Sequence, residues 1–82
     1  MSSKYNNKNE MNKYSFKLGY EQLRRKDVKE VRERIMSALG IATREGFYPR
    51  LRGEIEPRVS EAKAIEEIFA EYGIKKVWGD PE

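Results

Sequence analysis

The chain has 82 residues, 38% apolar and 38% charged, with a net charge of +3. That length holds one domain, and a domain so small must gather its apolar residues into narrow stripes. Cysteine and histidine are both absent, which excludes disulfides, thiolate metal sites and the usual general base or imidazole metal ligand.

The charge is unevenly placed. Residues 1–53 carry 13 Lys/Arg against 6 Asp/Glu, whereas residues 54–82 carry 4 against 8. A basic half joined to an acidic half suggests one face directed at a polyanion. No apolar run approaches the ~20 residues of a membrane span. The polar start MSSKYNNKNEMNK lacks the apolar centre of a secretion signal, so the expected compartment is the cytoplasm, with no membrane partner.

Residues 1–13, rich in Ser, Asn and Lys, are expected to form a disordered polar arm. Its lysines, Lys4, Lys8 and Lys13, serve solubility or add non-specific attraction to nucleic acid. A folded domain is expected over residues 14–79. In its first segment Tyr14, Phe16, Leu18 and Tyr20 alternate with polar residues, which suits a short strand; Leu18, Tyr20 and Leu23 suit a helical turn instead. Arg24, Arg25 and Lys26 then form a basic run.

A helix is predicted over 28–39, with Asp27 as N-cap and Glu30 completing a capping box. Val28, Val31, Ile35 and Leu39 share one arc. Gly40 supplies a left-handed C-cap onto which Ile41 can pack. Lys29 and Arg32 flank the apolar arc, and Arg34 is placed to pair with Glu30. A shorter helix follows between Thr43, as N-cap, and Gly53, with Phe47 and Leu51 as its core pair. Pro49 removes a backbone hydrogen bond inside it, so this helix is expected to be kinked or to begin late.

The third helix is predicted from Ser60, with Val59 stapled onto Ala64. Ile65, Ile68, Phe69 and Tyr72 form its buried face, and Gly73 ends it. The tail from Ile74 to Trp78 is apolar enough to fold back, and could pair as a strand with residues 14–20. The fold class is therefore all-α, a compact domain of three to four helices with a helix-turn-helix unit and room for short strands at 14–20 and near the C-terminus.

The chemistry lies between Gly40 and Gly53. On an ideal helix Arg44, Tyr48 and Arg52 fall along one flank and Arg50 on the other. Arginine can pair with guanine or phosphate, and tyrosine can donate to phosphate. Thr43 and the helix start can hold a further phosphate. The expected DNA contacts are thus Thr43, Arg44, Tyr48, Arg50 and Arg52, extended by Arg24, Arg25, Lys26 and Lys29. The expected partner is double-stranded DNA, with a homodimer as one arrangement. No catalytic pairing of nucleophile and base is suggested, so the sequence predicts no enzyme, cofactor or metal.

The stretch from Asp27 to Ile74 resembles small helix-turn-helix regulators of the phage-repressor and mobile-element kind. The carrying residues are Ala38, Leu39, Gly40 and Ile41, the run from Phe47 to Arg52, Gly53 with Pro57, and Ser60, Glu61 and Ala62 followed by Ile65 and Phe69. The resemblance implies a bacterial or prophage-type transcription regulator in which residues 43–52 form the recognition helix. Pro49, the Phe47/Leu51 spacing and the lack of a separate short second helix depart from that pattern. Two other readings stand beside it. One is a protein-interaction adaptor using the acidic third helix and Trp78. The other is a ribbon-helix-helix dimer using a strand at 14–20.

Overall fold

A computed structural model describes residues 13–81. The arm expected at 1–13 lies outside the described residues, Lys13 excepted. Four helices follow in order: α1 (Lys17–Glu21), α2 (Arg25–Leu39), α3 (Arg44–Leu51) and α4 (Val59–Glu71). The domain is all-α, and no described residue belongs to a strand. No described helix is long and apolar enough to cross a membrane.

Of the two alternatives for the segment 14–20 the strand does not form, which removes the basis of the ribbon-helix-helix reading, and the helical turn does, as α1. Phe16 is fully buried at the start of α1, edge-on to Phe47 (5.9 Å between centroids), Phe69 (6.3 Å) and Trp78 (6.1 Å). It thereby ties α3, α4 and the tail together. A five-residue helix has little stability of its own, and its first N–H groups need partners. Lys17 N–H donates to Ser15 Oγ (3.2 Å), Leu18 N–H to the Gly79 carbonyl (2.9 Å) and Gly19 N–H to the Val77 carbonyl (3.0 Å). The tail thus caps α1 with its carbonyls instead of pairing beside it as a strand.

The helix α2 starts three residues before the expected Val28. Arg24 is its N-cap, in extended backbone and without a side-chain cap bond, so Asp27 stands inside the first turn. The C-terminus follows expectation. Gly40 adopts φ 70°, its N–H reaches the Ser37 carbonyl (3.3 Å), and Ile41 N–H reaches that of Met36 (2.8 Å). That pair of bonds is a Schellman motif. A second one closes α4, where Gly73 N–H donates to Ala70 (3.0 Å) and Ile74 N–H to Phe69 (3.1 Å).

Thr43 caps α3 as predicted, although its side chain makes no cap bond, and Pro49 lies inside one uninterrupted helix. The helix does not begin late, because Phe47 and Leu51 are both buried and hold the turns on either side of the proline. At α4 the N-cap is Arg58 and not Ser60; Glu61 Oε1 accepts the Arg58 N–H at 3.0 Å. Val59 is 88% exposed, so no staple onto Ala64 forms. The core runs between α2 and α4, through Val31, Ile35, Ile65, Ile68 and Phe69. The tail closes it with Ile74 and Val77, both buried as expected of that segment.

Candidate nucleic-acid interface

The turn Gly40–Thr43 joins α2 to α3 in four residues, the length typical of a helix-turn-helix connection. On α2, Arg25, Lys29 and Arg32 recur at i, i+4 and i+7, one flank of the helix. Arg34, two residues beyond Arg32, points about 160° away. It does not pair with Glu30: it forms a bidentate bridge to Glu71 of α4, with both bonds at 2.9 Å. Glu71 is held below the usual carboxylate range by its hydrogen bond to that guanidinium. Acidic α4 therefore lies on one side of α2, and the Arg25/Lys29/Arg32 row lies on the flank away from it.

The expected site residues divide. Arg24, Arg25, Lys26 and Lys29 are exposed along the first turns of α2. Thr43 and Arg44 are exposed at the start of α3. Arg50 is half-buried, and its Nη1 folds back onto the Gly46 carbonyl (3.1 Å). Arg52 is exposed, but its Nε binds Glu54 at 2.6 Å. That hydrogen bond raises the pKa of Arg52 and lowers that of Glu54. Tyr48 is half-buried, edge-on to Phe47 at 5.1 Å. The stripe Arg44, Tyr48, Arg52 is thus present on one flank, and Arg44 is its cation without a hydrogen-bond partner among the described residues.

A feature missed in the sequence lies where this stripe meets α2. Tyr20 and Tyr48 both lie against the Phe47 ring, Tyr20 at 5.7 Å between centroids. Arg32 is half-buried on the flank of α2, and its charge and that of Arg44 both act to lower the Tyr20 pKa. Tyr20 Oη is shut off from solvent and has no hydrogen-bond partner among the described residues. Burial raises the Tyr20 pKa against the opposing pull of Arg32, so the phenol stays protonated near neutrality. Burial also works against the charge of Arg32, but Tyr20 and Tyr48 outweigh it and leave its pKa above the ordinary arginine value. The sequence signal was the flank position of Arg32. That Tyr20 would lie against Phe47 depended on α1 being a helix.

Ser15 was also missed. It is completely buried, and its hydroxyl donates to the Leu51 carbonyl at 3.0 Å. Phe16 N–H donates to the same carbonyl at 3.1 Å, which fixes the end of α3 against the start of α1. Elsewhere an open groove of about 580 Å³ runs beside α4, lined in part by Tyr14, Pro57, Val59, Ala62 and Trp78. Among the described residues, no cluster of acidic groups could hold a metal ion. No protein-family model matches the chain, and neither a curated protein nor a solved structure does.

Proposed function

We propose that this domain binds double-stranded DNA through the α2–α3 face and acts as a helix-turn-helix transcription regulator of the bacterial or prophage type, with α3 directed at the major groove. The observation that carries the reading is the exposed basic start of α3 at Arg44, joined by a four-residue turn to α2 with its Arg25/Lys29/Arg32 row. Acidic α4 is bridged to the opposite flank of α2 through Arg34, so it does not cover that row. A second support is local. Arg24, Arg25 and Lys26 occupy the N-cap and first two positions of α2, where the helix dipole disfavours cations. Residues that break a local rule are expected where function is served, and a phosphate at that end would relieve the repulsion.

The test is a mobility shift with duplex DNA at two salt concentrations. Binding should weaken steeply with salt, and Lys29→Ala with Arg44→Ala should together make the log–log salt dependence shallower by about two. Arg52→Ala should cost less, because Glu54 already occupies that guanidinium. Salt-insensitive binding, or none to any duplex, rejects the reading. The groove beside exposed Val59 favours a second reading, a protein-interaction module. Under it the double variant would retain its protein partner, and duplex DNA would not bind.

A further inference from the structure

We infer that the groove beside α4 is a self-association surface, into which a second copy of this chain seats its Val59 about a two-fold axis; the inference stands independently of DNA binding. Val59 is 88% exposed, although a valine gains from burial. It lines a groove whose apolar walls also include Tyr14, Pro57, Ala62 and Trp78. The Trp78 indole N–H donates to Glu66 Oε2 at 2.6 Å. That bond satisfies the one polar atom of the ring within the chain and holds the ring in place. An apolar hollow and an uncovered apolar knob therefore stand side by side on one surface. A knob that forms one wall of a hollow cannot fill that hollow in its own chain. A surface bearing both is its own complement, and a two-fold axis makes the match twice, once in each direction.

The charges along α4 select that operation. Val59, Ala62, Lys63 and Glu66 recur at i, i+3, i+4 and i+7 on one flank of the helix. Two α4 helices laid antiparallel, with the axis close to Ala62, bring Val59 of each copy toward Glu66 and Trp78 of the other. Ala62 is small enough for the two backbones to approach there. Lys63 of each copy comes within one helical turn of Glu66 of the other, and Trp78 engages only one of that carboxylate's oxygens. The basic start of the row thus meets its acidic end, whereas parallel helices would set Lys63 against Lys63. The surface also lies clear of the basic row of α2. Val59 is nine residues from Ile68, which is half a revolution around α4, and Ile68 lines the α2–α4 seam with Arg34 and Ala38. The groove is therefore on the side of α4 away from α2.

The test is the mass of the full chain by sedimentation from the micromolar to the millimolar range. The wild type should pass from one copy to two, and Val59→Glu should raise the dissociation constant about 100-fold. Val59 is exposed and is the first residue of α4, where the helix dipole favours a carboxylate, so this variant should keep its fold by circular dichroism. The chain holds no cysteine, which permits a second measurement. Ala62→Cys, close to the axis, should oxidise to a disulfide-linked pair, whereas Ala70→Cys, exposed two turns further along α4, should not. A wild type that stays a single copy throughout, a dimer indifferent to Val59→Glu, or equal cross-linking of the two cysteine variants overturns the inference. So does a Trp78 indole resonance that shifts on deletion of residues 1–12 but not with concentration, which would assign the groove to the chain's own first residues.

Discussion

At the scale of single residues, Gly19 shows how closely the tail is laid against α1. A Cβ built there would stand 3.1 Å from the Val77 Cα and 3.3 Å from its carbonyl oxygen. Both are backbone atoms, so no rotamer change can make room. Gly19→Ala would raise helix propensity in α1, yet overpacking should win. The expected loss is about 1–3 kcal/mol by urea unfolding, and a neutral or stabilised variant would mean that the tail can lift away at no cost. Gly46 is the instructive contrast. There the obstacle is a side-chain methyl of Ile41, 2.7 Å from the added Cβ, and the neighbour can turn aside.

At the scale of elements, α2 is a stable helix with an unfavourable beginning. Replacing Lys26, its second residue, by glutamate should stabilise the fold by about 0.3–1 kcal/mol through the helix dipole. The same change should weaken duplex binding and flatten its salt dependence. A variant that gains stability without losing affinity would show that the first turn is a solvated start with no phosphate contact. The α2–α4 seam carries a pH signature. The pKa of Glu71 is depressed in the fold by Arg34. Its contribution is therefore present above the ordinary carboxylate pKa and is lost as pH falls through the lowered folded value. Thermal unfolding from neutral pH into the acid range should show that loss in the wild type, and a smaller one in Glu71→Gln.

The helices α2, α3 and α4 were readable because their signals are local. Val31 and Ile35 repeat at helical spacing, and Gly40 and Gly73 are each followed by an isoleucine that completes a Schellman turn. Their starts were harder to read. Arg24 and Arg58 serve as N-caps without the short acceptor side chain that marks such a position. The helix α1 was readable only as an alternative to a strand, since carbonyls from the far end of the chain satisfy its amides. The interface follows the same division. Arg44 and Tyr48 were found by spacing within α3, whereas the packing of Tyr20 on Phe47 depends on how α1 docks.

At the scale of the whole molecule, the last residues of the chain hold the first helix, and the first helix presents Tyr20 to the basic face. Stability and binding are therefore coupled through the tail. Val77 is the natural point to test this. It is 3% exposed, and its carbonyl accepts the Gly19 N–H. Val77→Ala removes buried apolar volume, at an expected cost of about 1–3 kcal/mol. The loss should not be uniform. In native-state hydrogen exchange the Leu18 and Gly19 amides, whose partners are tail carbonyls, should lose protection first, whereas the Ile65 to Phe69 amides in the centre of α4 keep theirs. Duplex binding should fall as well, because the tail holds α1, whose Tyr20 packs on Phe47 of α3. If all amides lose protection equally, the domain opens as one unit and the tail is simply core. If α1 alone loosens and binding is unaffected, the first helix plays no part in the DNA face.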